Sequence, residues 1–106
     1  MNKYENRKEV PAEIVIKIAE DSTEIDDIKK RTRKQEYYFA RAMAANYLIR
    51  WHNFSKVGEM LNVGHDIIHY YMGQDVLKTD PKYLKLWQRH SVNYFKTEIE
   101  KMESSL

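Results

Sequence analysis

The chain has no cysteine among its 106 residues. A disulfide framework and a thiolate-bound zinc centre are therefore excluded, and the composition suits a reducing compartment. Only three glycines and two prolines are present, and no Val/Thr alternation of the strand kind occurs, so turn signals are few and β structure is not expected. No apolar run approaches the ~20 residues of a membrane span, and the charged start MNKYENRKEV lacks the apolar segment of a signal peptide. The expectation is a cytoplasmic protein with no membrane partner. The sequence also holds no G-x-x-x-x-G-K-[ST] loop, so no bound nucleotide is expected; the expectation for cofactors is likewise none. The length suits one domain with one modest core and leaves no room for a second, catalytic domain.

What is present is unevenly charged. The formal net charge is only +2, but residues 1–28 carry 4 Lys/Arg against 8 Asp/Glu, residues 29–56 carry 8 against 1, and residues 57–106 carry 6 against 7. The surplus lies in the middle block. Its densest part is KKRTRK at 29–34, five cations in six positions directly after the acidic EDSTEIDD. Such a run is either a solvated face neutralised by its acidic neighbour or a contact surface for a polyanion.

Helical periodicity runs through the rest, and the expected fold class is all-α. Pro11 stands as a first-turn residue before a helix to about Asp21, with Ile14, Val15 and Ile18 on one face. Thr23 to Ile28 adds a short turn. QEYYFARAMAANYLIRW predicts a long central helix with an apolar stripe at Tyr38, Ala42, Ala45 and Ile49. Asn53 or Ser55 caps SKVGEML, NVG breaks the helix, and HDIIHYYMGQDVL resumes it. The cap-and-proline signal Thr79/Asp80 and Pro81 then opens a closing helix with Leu84, Trp87, Val92, Phe95, Ile99 and Met102 at helical spacing. The expected organisation is a flexible arm at 1–10, one domain at 11–102, and a frayed tail at 103–106.

Two short helices joined by a three-residue turn form the helix-turn-helix pattern, placed here at 54–77. Gly58 supplies the small residue where the helices approach, Val57 and Leu61 point inward, Asn62 takes the left-handed turn position, Val63 plugs the turn, and Ile68 and Tyr71 anchor the second helix. Gly64, His65, Asp66, His69 and Tyr70 then face outward, with Ile67 at the margin, where its methyls can meet a thymine methyl. His65 and His69 also admit a second reading, because imidazoles at i and i+4 share a helix face and can hold one Zn²⁺ with Asp66 beside them. A catalytic zinc needs a third protein ligand, however, and His52 and His90 fall on other predicted helices. No metal and no catalytic residue are expected.

The order of parts, from the IDDIKK turn and the KKRTRK loop through ARAMAANYL and VGEMLNVGHDIIHYY to a closing helix, resembles the C-terminal DNA-binding domain of the bacterial chromosomal replication initiator DnaA over roughly residues 11–100. The resemblance implies an all-helical variant of helix-turn-helix, related in fold to the Trp repressor, that binds a short duplex site as a monomer. By its pattern Arg33 matches an arginine sent into the minor groove, and Lys30, Arg31 and Lys34 match phosphate contacts. Arg41 matches the arginine of the family's A-R-Q stretch and, with Lys56, is expected as a weaker phosphate contact. His65, Asp66, Ile67, His69 and Tyr70 fall where the family reads bases in the major groove. The family's R-D-H-[TSA]-T-V signature is replaced by VGHDIIH, which lacks the arginine and the threonines and keeps an Asp and a His in changed order. With no ATPase loop in the chain, the expectation is a stand-alone module, from a phage or mobile element among other sources, acting in replication-origin binding or transcriptional regulation.

Two rival readings stand beside it. A helical protein-protein adaptor would dock a partner through YYF at 37–39 and YY at 70–71, residues that equally suit a core. A His-based zinc hydrolase needs a third ligand beside His65 and His69. Convergence of Arg33, Lys34, His65, Asp66 and His69 on one face separates these from DNA binding.

Overall fold

The carbonyl of Pro11 accepts hydrogen bonds from Ile14 and Val15 at 3.0 Å each, and helix α1, Ala12–Thr23, follows at once. The computed structural model describes residues 9–106, so most of the arm expected at 1–10 lies outside the described residues. Val10, counted with that arm, is fully buried, and its N–H donates to the Tyr47 hydroxyl at 3.2 Å. Helix α1 buries Val15, Ile16, Ile18 and Ala19. It ends in a Schellman motif, with Glu24 at φ 58°, Glu24 N–H on the Asp21 carbonyl and Ile25 N–H on the Glu20 carbonyl. The helical turn expected over Thr23–Ile28 is therefore absent, because the left-handed residue stops the helix and the chain runs on irregularly to bury Ile25 and Ile28.

Helix α2, Gln35–Leu48, buries nine of its residues. Its alanines at 40, 42, 44 and 45 are fully buried. Small side chains let neighbouring backbones come close, and α2 is packed by all four other helices of the described chain. Ala42 and Ala45 of the expected stripe lie in the core, with Tyr38 and Ile49 half-buried at its edges. Helix α1 also packs on α5, and helix α3, Phe54–Leu61, packs on helix α4, His65–Gly73. Asn53 caps α3, its Oδ1 accepting from Lys56 N–H at 2.8 Å.

Helix α4 stops at Gly73 instead of running to Leu77. Glycine is the poorest non-proline helix former, and residues 75–79 close their own turn, with the N–H and hydroxyl of Thr79 both on the Asp75 carbonyl. Val76 of this linker is buried. The cap-and-proline signal yields only a 3₁₀ turn, Pro81–Tyr83, capped by Asp80. Leu84 is extended, at φ −102° and ψ 147°. Helix α5, Leu86–Ser105, starts after Lys85, whose N–H donates to Gln88 Oε1 at 2.9 Å. It continues through Glu103, Ser104 and Ser105 of the expected frayed tail. Val92, Phe95 and Ile99 are buried as expected, but Trp87 is 36% exposed, resting edge-on against Phe39 at 5.3 Å between ring centroids. The later start of α5 puts Trp87 in its first turn, at the rim of the core.

The five helices form one compact all-α unit, without strands among the described residues, and the radius of gyration is 13.2 Å. That radius is close to the ~13 Å expected for a single domain of this length. No described helix is long and apolar enough to cross a membrane.

Candidate nucleic-acid interface

Residues 62–64 form the turn between α3 and α4, and their chemistry sets how the two helices meet. Asn62 sits at φ 60°, its N–H on the Glu59 carbonyl and the Val63 N–H on the Gly58 carbonyl, a second Schellman motif. A Cβ on Gly58 would lie 2.6 Å from the Val63 carbonyl oxygen, so no larger residue fits there without moving the turn. Val57, Leu61, Ile68 and Tyr71 are all at most 1% exposed. Each such apolar side chain contributes roughly 1.5–3 kcal/mol of burial, which fixes the rotation of both helices.

That rotation turns His65, Asp66, His69 and Tyr70 outward, with Ile67 38% exposed. The His69 ring packs edge-on against Phe54 of α3 at 4.2 Å and lies 6.2 Å from the His65 ring. Asp66 stands in the first turn of α4, where its charge suits the helix dipole. Its Oδ1 lies 2.5 Å from the point a Cβ on Gly64 would occupy, so the carboxylate folds back over the helix start. Tyr70, 58% exposed, meets Tyr38 of α2 edge-on at 5.7 Å, and Tyr38 meets the buried Tyr71 at 4.8 Å. The Tyr38 hydroxyl is buried without a hydrogen-bond partner among the described residues. Burial raises the pKa of Tyr71, with the Arg41 guanidinium pulling it back down. Of the adaptor aromatics, Phe39 and Tyr71 are core, Tyr37 and Tyr38 are half-buried, and Tyr70 alone is exposed. No group of three His, Asp or Glu side chains placed to hold a metal exists among the described residues.

The basic loop is held from inside. Arg41, expected as an exposed phosphate contact, is 6% exposed. Its Nε donates to the Ile28 carbonyl, one terminal nitrogen to Thr32 at 3.3 Å and the other to Lys30. A planar guanidinium supplies fixed, forked donors, so one side chain gathers three carbonyls of the loop. Glu20 of α1 takes the other side, its carboxylate accepting from Ile28 N–H at 3.0 Å. With these carbonyls turned inward, Lys29, Lys30, Arg31, Arg33 and Lys34 are all exposed. None of the five forms an ion pair among the described residues; of the acidic neighbours, Asp21 pairs with Lys17 and Asp27 caps the Lys29 N–H. The buried arginine was not legible as an anchor in the sequence, since within ARAMAANYL it reads as an ordinary surface cation.

Loop and turn are joined directly. The Asn62 side-chain amide donates to the Lys29 carbonyl at 3.1 Å, and Arg31 lines one open groove with Ser55, Asn62, Gly64 and His65. The structure thus brings Lys29 and Arg31 to the start of α4, while Arg33 and Lys34 are exposed farther along, where the loop enters α2. Lys56 is exposed on α3 but spends part of its charge on Glu59 at 3.7 Å. A larger groove lies between the end of α2, the 75–78 linker and α5. There Arg50, Lys78 and Lys96 are offset by Asp75, Glu100 and Glu103, so no uncompensated charge marks it. No family model matches the chain, and no curated protein or solved structure matches it either.

Proposed function

We propose that the chain is a duplex-DNA-binding module of helix-turn-helix type, with α4 as the recognition helix and the 29–34 loop on the flanking backbone and minor groove. The observation that carries this reading is the hydrogen bond from Asn62 to the Lys29 carbonyl, which ties the start of a loop of five exposed cations, none of them ion-paired among the described residues, to the turn before the exposed head of α4, with Arg33 and Lys34 farther along the same loop. In it, Lys30, Arg31 and Lys34 neutralise phosphates and Arg33 enters the minor groove, where a narrow A·T-rich groove concentrates negative potential. His65, Asp66, Ile67, His69 and Tyr70 present donors, acceptors and apolar surface to base edges. Arg41 acts as a positioning residue behind the loop. The likeness to the DnaA C-terminal domain, related in fold to the Trp repressor, belongs to this proposal. So do action as a monomer without catalysis and a role in replication-origin binding or transcription. The adaptor alternative loses support because, of the five aromatics it needs, Phe39 and Tyr71 are core and Tyr37 and Tyr38 are half-buried, leaving Tyr70 as the one that is exposed.

The test is binding to random-sequence duplexes across a salt series. Neutralising about five phosphates gives a log-log slope near −4.5 at ~0.9 per contact, and selection from the same pool then yields a preferred site. A slope near zero, or no binding at low salt, refutes the reading.

A further inference from the structure

Residues 81–97 carry Lys82, Lys85, Arg89 and Lys96 and no acid at all, a second cationic stretch that the near-balance of residues 57–106 conceals. Its first part adjoins the candidate interface. The Lys85 ammonium donates to Gln35 Oε1 at 3.3 Å, one residue beyond Lys34 of the basic loop. On the same helix start, Trp87 rests on Phe39, while Tyr70 of α4 meets Tyr38, one turn into α2. Contacts therefore link the start of α2 both to the outer face of α4, through Tyr38, and to the start of α5, through Gln35 and Phe39. Tyr83 and Leu86 are 74% and 68% exposed there, and the Lys82 side chain is exposed, its ammonium 3.8 Å from Asp80 and 5.0 Å from the centre of the Tyr83 ring.

We infer that this ledge of Lys82, Lys85 and Arg89 is a second contact surface for the same duplex, gripping the sugar-phosphate backbone beyond the segment covered by α4 and the basic loop. This rests on the duplex-binding reading. The occupant follows from charge and continuity: a ledge whose Lys85 and Arg89 pair with no acid among the described residues, beside a basic loop likewise without ion pairs there, complements one continuous polyanion, and exposed Tyr83 and Leu86 offer apolar surface to deoxyribose. Arg89 keeps its terminal nitrogens for this, its Nε being committed to the Leu84 carbonyl at 2.9 Å.

The experiment compares two forms of the tightest duplex selected from random sequence, one trimmed to the core site and one extended by a helical turn of ~10 bp on each side. Salt titrations on the extended duplex are expected to be steeper. The Lys85→Gln/Arg89→Gln double variant should lower that slope by about 2 at ~0.9 per phosphate, leave the trimmed duplex unaffected, and melt as the parent does, with Lys101→Gln as a control that changes neither slope. Equal slopes on both duplexes, or equal loss on both in the double variant, overturn the ledge. Lys30→Gln/Arg33→Gln keeps the two ideas apart. If it weakens both duplexes while the ledge variant does nothing, the ledge alone falls, whereas no binding by the parent protein overturns both readings.

Discussion

Asn62 in the turn between α3 and α4 is hydrogen-bonded through its side chain to the backbone carbonyl of Lys29, 33 residues away, at 3.1 Å. The same residue holds the left-handed conformation that ends α3, so it has two separable jobs. Asn62→Gly keeps the backbone freedom and deletes the bond, and should cost ~1 kcal/mol or less in stability while weakening duplex binding. Asn62→Val adds the strain of a β-branched residue at positive φ, a further ~1–3 kcal/mol. Thermal melts beside binding isotherms check both, and equal binding by Asn62→Gly and the parent would detach the loop's placement from function.

Arg41 and Lys30 make opposite expectations although both are cations of the same block. Arg41→Lys replaces a forked donor by a point charge and strands carbonyls of the loop, with a loss of stability of ~1–3 kcal/mol. Its salt slope should stay near the parent's, because the buried guanidinium faces the loop carbonyls. Lys30→Gln should leave the melt within ~0.5 kcal/mol and reduce the slope by ~0.9. A reduced slope in Arg41→Lys with an unchanged melt would return Arg41 to the surface role.

Gly58→Ala and Gly73→Ala form a matched pair. A methyl at 58 meets the Val63 carbonyl at 2.6 Å, whereas one at 73 meets nothing within 4 Å. The first should destabilise by ~1–3 kcal/mol through overpacking against backbone. The second should be neutral or stabilise by up to ~1 kcal/mol, as alanine favours the helix. Urea melts of the two variants decide it, and similar stability in both would mean the turn yields easily.

These elements also show where the sequence is readable. The register of α3 and α4 was legible because apolar residues at helical spacing, one obligatory small residue and one left-handed asparagine all constrain the same turn. The outward-facing set from His65 to Tyr70 follows from that register, and each of its members is exposed. The role of Arg41 was not legible, since nothing local tells a buried arginine serving carbonyls 9 to 13 residues upstream from a solvated one. Nor was the start of α5: Asp80 and Pro81 satisfy their capping chemistry within a single 3₁₀ turn, and the restart at Leu86 carries only the weaker local signal of Gln88, which accepts from the Lys85 N–H.

Tyr47 links the folding core to alkaline pH. Its pKa is raised, chiefly by burial, with the hydrogen bond from Val10 N–H opposing; Tyr71 is raised in the same direction. A folded-state pKa above the ordinary value of about 10 means the native protein keeps a proton the unfolded chain has released. Their contribution is therefore complete below pH ~10 and is lost as pH rises from there through the folded-state values. Stability should be flat with respect to these groups near neutrality and fall above pH ~10. Tyr47→Phe should lessen that alkaline slope while costing ~1 kcal/mol at neutral pH for the lost partner of Val10. Unfolding free energies measured from pH 8 to 11 would expose the error if the variant and parent slopes coincide.

Asp66 is the sharpest question on the outer face of α4, because a carboxylate repels phosphates and yet stands at the helix head. Two causes can keep it there. A carboxylate accepts hydrogen bonds from cytosine N4 or adenine N6, and it also suits the helix dipole, worth roughly 0.3–1 kcal/mol. The fold-back over Gly64 fits the second cause, while exposure beside His65 and His69 leaves it free to swing to a base edge. The two causes separate by the kind of defect. As a base reader, Asp66→Ala relaxes preference at one position of the selected site by ~1–3 kcal/mol and leaves non-specific affinity little changed. Asp66→Asn should behave differently again, because an amide pairs with adenine through both N6 and N7 and shifts the preference toward that base. The measurement is binding of parent, Asp66→Ala and Asp66→Asn to the selected duplex and its single-base variants, beside thermal melts. The expected outcome is a changed preference at one base pair. Melts that drop while every preference stays intact would make Asp66 a helix-start residue only and leave sequence reading to His65 and His69.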